Sequence, residues 1–341
     1  MIQDIFRKLL DHVDLTEGES AGVMSLVMEG EATPAQIAAL LMGLRMKGET
    51  VDEITGFARA MRDKAVRIRP QRHPLADTCG TGGDLLKTFN VSTAAAFVVA
   101  GAGAAVAKHG NRSVTSKCGS ADVLEALGVA LELEPEDVSR CIDEVGIGFM
   151  FAPRFHPAMK YAAPVRREMG VRTVFNLLGP LTNPAGATAQ LVGVPGPEWA
   201  APFAAVLAKL GAERAFVVHG SCGVDEISIA GETCVHEVRD GQVTAYTITP
   251  EDFGMRSAEP GSIQGGDADA NARLLVSILE GESGPRRDIV LLNAAAAIVA
   301  ARKAADLAEG VAVATETIDS GAARRKLNEL RAFCAERQTA S

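Results

Sequence analysis

The chain has 341 residues, 47% of them apolar, and a formal net charge of −9. That is enough for two domains, or for one large α/β domain with an appendage, while the acidic balance disfavours a general nucleic-acid binder, which needs a broad basic surface. The longest apolar run, Thr93 to Ala107, falls short of the roughly 20 residues that cross a bilayer and reads as a buried helix followed by a strand, so no membrane partner is expected.

Met1 to Asp14 mixes Asp4, Arg7, Lys8, Asp11 and Asp14 with apolar residues at helical spacing, unlike the unbroken apolar core of a signal peptide. The expected location is the cytoplasm. Six cysteines, Cys79, Cys118, Cys141, Cys222, Cys234 and Cys334, contain no C-x-x-C pair and point to reduced thiols rather than zinc or disulfides.

The first 70 residues read as helices. Thr16 precedes Glu19, Thr33 precedes Pro34 and Gln36, and Thr50 precedes Glu53, each a capping hydroxyl with an acid or amide three positions on. Ile37, Leu40, Leu41 and Leu44 share one face, as do Ile54, Phe57 and Met61, so these helices bury a stripe against one another or against a partner subunit. From about Leu75 short apolar strands alternate with helices, the pattern of a sheet covered by helices. Ala104 to Ala107, Gly146 to Phe151, Ala189 to Val194 and Ala215 to Val218 are the clearest strands. The helices Ser120 to Leu127, Pro135 to Val145 and Pro197 to Leu210 stop at Gly128, Gly146 and Gly211. Thr233 to Thr249 alternates around Asp240-Gly241, a hairpin signal, and the last hundred residues return to helix, with a small-residue segment at Ala294 to Ala297.

Four segments carry chemistry. Gly80-Thr81-Gly82-Gly83-Asp84 lacks both the Gly-Lys-Ser/Thr of a Walker loop and the third glycine of a dinucleotide fingerprint, since Leu85 stands there. Thr88, Asn90, Ser92 and Thr93 follow it and open the long apolar helix, so backbone N–H groups and short hydroxyls gather where an anion binds well. Lys108 to Ser120 offers Lys108, His109, Asn111, Arg112, Ser113, Thr115, Ser116, Lys117 and Ser120 between Gly110 and Gly119, donors suited to phosphate oxygens. Arg166 to Thr173 holds Arg166, Arg167 and Arg172, any one of which forks onto a small carboxylate. Asp225-Glu226 follows a strand and a glycine-bounded turn, hard oxygen ligands for Mg²⁺ shared with phosphates. A turn, a surface loop or a solvated face accounts for each segment alone; together they read as a cradle for a phosphorylated sugar.

With these segments, Thr88-Phe89-Asn90-Val91-Ser92-Thr93, and Phe175 to Pro184 in the same order, the chain resembles the anthranilate phosphoribosyltransferase family essentially end to end. The resemblance implies that Gly80, Thr81, Gly82, Gly83, Asp84, Thr88, Asn90, Val91, Ser92, Thr93, Lys108, Ser113, Ser116 and Ser120 hold 5-phosphoribosyl-1-pyrophosphate (PRPP). It implies that Gly80, His109, Gly110, Asn111, Arg166 and Pro180 surround anthranilate, and that Ser92, Asp225 and Glu226 serve two Mg²⁺ ions. The implied fold is a small N-terminal helical domain, residues 1–70 joined by helices from about 165–185, beside a larger α/β domain, 71–341, with a central mixed, mostly parallel sheet flanked by helices. A homodimer through the helical domains is implied as well. Leu85-Leu86-Lys87 stands where the family is commonly small and polar, Cys118 where serine is common, and Ser221-Cys222 ahead of the acidic pair. No general base is assigned, because an aromatic amine is already neutral at pH 7. A pyrimidine nucleoside phosphorylase needs neither the acidic pair nor the clamp of Asn111 with Arg166, and a nucleic-acid-binding relative is disfavoured by the net charge of −9.

Overall fold

The computed structural model describes residues 2–82, 86–113 and 117–340. Four helices open the chain: α1 (Ile2–Leu10), α2 (Glu17–Glu29), α3 (Pro34–Lys47) and α4 (Val51–Lys64). All three expected capping boxes form, at Thr16 with Glu19, Thr33 with Gln36 and Thr50 with Glu53. Glu53 does more than cap. Fully buried, it accepts from Leu15 N at 2.9 Å and from Lys47 Nζ at 3.0 Å, which ties α4 to α3 and to the turn before α2. At the α2–α4 crossing a Cβ on Gly56 would overlap the Glu17 carbonyl, so glycine sets how closely the two helices approach.

The apolar faces of these helices share one core with Val165, Phe175, Leu178 and Leu181, and with Val192, Val194 and Phe203 on the sheet side. The helical part therefore leans on one flank of the sheet rather than standing apart from it.

The sheet has seven strands: β1 (Leu75–Thr78), β2 (Ala105–Gly110), β3 (Ile147–Phe151), β4 (Ala189–Gly193), β5 (Arg214–Gly220), β6 (Thr233–Arg239) and β7 (Gln242–Ile248), in the order β3-β2-β1-β4-β5-β6-β7. The first five run parallel; β6 and β7 add an antiparallel edge. The fold is thus a small helical part plus a mostly parallel mixed sheet with helices on its faces. From β1 the chain builds outward to β2 and β3, then returns to the other side of β1 for β4 and β5. That reversal makes a crevice at the carboxyl ends of β1 and β4, where open α/β sheets bind ligands.

Strand β2 runs past the expected Ala104–Ala107 through Lys108 and His109, which pair with Phe149 and Met150 of β3. Polar residues end an apolar run, but they do not end a strand whose partner continues. Pro197 to Leu210 splits into a 3₁₀ turn, Pro197–Trp199, and a helix, Ala200–Lys209. At the β6–β7 hairpin Asp240 and Gly241 take φ of 50° and 79°, the left-handed pair of a type I′ turn. On one face, α5 (Val91–Gly101) packs against the helix Pro285–Ala300, in which every residue from Ile289 to Ala300 is buried.

Candidate active site

Of the expected site residues that are described, those of the glycine turn, the start of α5, the second loop and Asp225-Glu226 lie at the carboxyl ends of β1, β2, β4 and β5. Gly83, Asp84 and Ser116, with Leu85 and Thr115, lie outside the described residues. The glycine turn is anchored to β4: Thr81 donates to the Gly193 carbonyl through its N–H at 2.9 Å and its hydroxyl at 3.1 Å. A Cβ on Gly80 would stand 3.1 Å from Asp225 Oδ2, and one on Gly193 would overlap the Asp225 carbonyl. The acidic loop is therefore seated directly on the glycine turn and the end of β4.

On the other side of β1, the Thr78 hydroxyl donates to the Ser92 carbonyl at 2.8 Å and so ties the first turn of α5 to the strand. Lys108 is buried, and its Nζ donates to the Thr78 carbonyl at 2.8 Å, which holds the ammonium at the mouth of the crevice. Val91 and Thr93 face the core. Asn90, the residue ahead of α5, makes no cap hydrogen bond. Its Nδ2 donates to the Cys118 carbonyl at 3.3 Å, and its Oδ1 accepts from Asn271 Nδ2 at 2.9 Å and from Cys118 Sγ at 3.3 Å. Thus Cys118 still donates where the resemblance expects serine, and burial pushes its thiol up to about 11. Thr88 bridges to Gln264 and Gly265 N donates to the Lys87 carbonyl, so residues 263–271 back both loops around a cavity of about 130 Å³.

In the second loop, a Cβ on Gly110 would overlap the Ser120 hydroxyl, so glycine brings Ser120 against the end of β2. Asn111 accepts from the Ser120 hydroxyl and from Ala121 N, while Asp122 accepts from the backbone N–H groups of Ser113 and Gly119. Arg112 is turned away from the crevice and forks onto Glu125 at 2.7 and 2.9 Å.

Next to the crevice stands a dry, uncharged wall. His109 Nδ1 lies 3.2 Å from the Gly179 carbonyl, so Nδ1 carries the proton and Nε2 presents a lone pair; that Nε2 is buried without a partner among the described residues. Burial, with His156 beside it, drives the His109 pKa down to about 3, and burial takes His156 to about 4. The rings stand 5.0 Å apart. Pro180 follows Gly179 and is buried, its carbonyl held by Gln190 Nε2 at 2.9 Å. Arg166 lies over the Phe175 ring at 5.1 Å; burial lowers its pKa, and among the described residues no carboxylate pairs with it. The other arginines of that stretch differ. Arg167 is exposed, and Arg172 donates to the Gly82 carbonyl at 3.2 Å, bridging to the glycine turn.

Four residues of the site carry no role in the sequence reading. Asp77 is fully buried in β1, where it accepts from Asn183 Nδ2 at 2.7 Å and His109 N at 3.3 Å; burial raises its carboxyl to about 6. The other three are His156, Asn271 and Asn293. A carboxylate inside a short apolar strand is the one local signal among them.

The family described as glycosyl transferase family, a/b domain, matches residues 72–324, and its helical bundle domain matches residues 3–65. Anthranilate phosphoribosyltransferase of Symbiobacterium thermophilum is 60% identical over 329 residues, 96% of each chain. The enzyme of that name from Anaeromyxobacter sp. is 59% identical over 97% of this chain and 98% of its own. The crystal structure of the Thermus thermophilus anthranilate phosphoribosyltransferase superposes with a TM-score of 0.92 at 50% identity, covering 97% of this chain and 99% of that one. The Saccharomyces cerevisiae enzyme in complex with PRPP and Mg superposes at 0.89 with 27% identity, over 98% of both chains. The chain belongs to the anthranilate phosphoribosyltransferase family.

Proposed function

We propose that this protein joins the amine of anthranilate to C1 of the ribose of PRPP, giving N-(5-phosphoribosyl)anthranilate and pyrophosphate, a step of tryptophan biosynthesis. The observation that carries the reading is the meeting of the Lys108 ammonium, the Gly80 turn and Asp225 at the crevice of β1 and β4, beside a neutral aromatic wall. The relatives' names and the PRPP-bound yeast structure support it.

Breaking the C1–O bond builds oxocarbenium character on the sugar and negative charge on the departing pyrophosphate. Lys108 opposes that charge, its ammonium held on the Thr78 carbonyl before the reaction. Ser92, Asp225 and Glu226 would hold Mg²⁺, and we assign two ions. The donor set fits, being all hard oxygens, with Gly80 and Gly193 leaving Asp225 its place. When bound, the metal would neutralise phosphate charge. Arg166 takes the anthranilate carboxylate, and Asn111 and Pro180 border the ring. His109 lies close to the ring and, with a pKa of about 3, is neutral at neutral pH. Orientation is the main contribution: well-placed reactants recover on the order of 7–11 kcal/mol of barrier.

Arg166→Ala tests the clamp. It should raise the anthranilate KM by about 10- to 100-fold, the size of a lost charged hydrogen bond, with the PRPP KM nearly unchanged; a rise in the PRPP KM alone would remove Arg166 from this role.

Leu10, Val13, Met42 and Met46 are exposed apolar residues on or beside α1 and α3, Leu10 by 80% and Met46 by 73%, and we assign that face to a homodimer. A Leu10→Lys/Met46→Glu variant should then sediment as a monomer. We place the domain limits at 1–70 with 165–185 and at 71–341, and the protein in the cytoplasm. Among the described residues no helix is long and apolar enough to cross a membrane.

A further inference from the structure

The C-terminal helices lie outside every motif, yet one of them holds the acidic loop. Asn293 sits at full burial in Pro285–Ala300, between Leu292 and the run Ala294 to Ala297. Its Oδ1 accepts from Ile227 N at 2.9 Å, and its Nδ2 donates to the Ile227 carbonyl at 2.9 Å and to the Ile289 carbonyl at 2.8 Å. One amide therefore satisfies both backbone groups of the residue that follows Glu226. Burying an amide in an apolar helix is unfavourable unless it is paired, and here all its pairing beyond its own helix goes to Ile227.

The loop is braced from the other side as well. The backbone of Asp225 presses on Gly193, Gly220 N donates to the Val224 carbonyl at 2.9 Å, and Ser228 N donates to the Thr233 hydroxyl at 2.9 Å. Glu226 thus lies between a seat at β4 and a two-point clamp at Asn293.

We infer that Asn293 is a positioning residue for the cation site, fixing the Asp225-Glu226 backbone so that both carboxylates meet the metal–pyrophosphate unit in one geometry. The inference rests on the reading of Asp225 and Glu226 as metal ligands. Groups that orient metal ligands without touching the ion typically change metal affinity by about 10- to 100-fold when removed.

The test is Mn²⁺ binding followed by electron paramagnetic resonance on the whole protein with pyrophosphate present. Asn293→Ala should weaken Mn²⁺ binding by about tenfold or more and leave the anthranilate KM within about twofold. Asn293→Ser leaves a shorter hydroxyl that reaches only the Ile289 carbonyl of its own helix; it should weaken binding to a similar degree and serves if the alanine variant fails to fold. Ile298→Ala opens a cavity in the same helix, where Ile298 is fully buried, and should lower the melting temperature without weakening Mn²⁺ binding. Unchanged Mn²⁺ affinity in a folded Asn293 variant overturns the inference alone, as does equal weakening by Ile298→Ala. Absence of Mn²⁺ binding in the unaltered protein overturns the metal reading and this inference with it.

Discussion

Lowering the pH from 8 to 5 protonates His109 and His156 in the unfolded chain long before the folded chain accepts those protons. Both rings are nearly dry, 4% and 6% exposed, and burial brings their pKa values from 6.5 to about 3 and about 4. A group depressed in this way stabilises the fold fully above its unfolded value, and that stability falls as the pH drops from 6.5 toward the folded value. At 1.36 kcal/mol per pH unit, pH 5 costs about 2 kcal/mol for each ring. Asp77 acts in the opposite sense: its carboxyl is raised from 3.8 to about 6, so below pH 6 the folded state binds the extra proton and offsets about 1 kcal/mol. For these three groups together the net loss is about 3 kcal/mol, or about 4 °C in melting temperature for a chain of this length, while the raised Glu49 and Asp288 carboxyls and the lowered His236 act in opposite directions. Thermal melts at pH 8 and pH 5 measure it, and His156→Gln, which does not titrate, should remove most of the difference. If the two melts coincide, or if His156→Gln leaves the difference intact, the neutral histidine wall is wrong.

Gly193→Ala drives a methyl group into the Asp225 carbonyl, and the forced shift should cut kcat/KM by about 100-fold or more in a folded protein; near-normal turnover would show that the acidic loop is not seated there. Asn271→Ala removes the donor at 2.9 Å from Asn90 Oδ1 and should raise the PRPP KM by about tenfold while the anthranilate KM stays within about twofold. Glu53→Ala leaves the Leu15 N–H unpaired and takes one of two carboxylates from Lys47, which keeps Asp14 at 2.7 Å, for an expected loss of about 2–3 kcal/mol in chemical denaturation, with little change in either KM at a temperature where the protein is folded.

What could be read from the sequence follows the range of the interactions. The caps at Thr16, Thr33 and Thr50 are complete within four residues, and the Asp240-Gly241 turn within two, so both appear in the chain as they do in the fold. Strand β1 does not stand out, because four residues containing Asp77 show no periodicity; its pairing with β2 and β4 makes it a strand. Lys108 and Asp225-Glu226 stand out as candidate anion- and cation-binding groups by residue type alone. Which arginine forks onto a carboxylate does not follow from residue type, and the distinction lies in packing: Arg166 on Phe175, Arg167 in solvent, Arg172 on Gly82. Asn271 and Asn293 are silent in the sequence, since Asn90 and Ile227 lie 181 and 66 residues away. Each is one amide in a helix until the sheet brings its partner to it.

The most direct test of the account is the fluorescence of anthranilate on mixing the purified protein with anthranilate, PRPP and Mg²⁺, repeated with EDTA. The account predicts a loss of fluorescence that EDTA abolishes and that Asp225→Asn removes. Steady fluorescence from a folded protein with both substrates and metal present would contradict it.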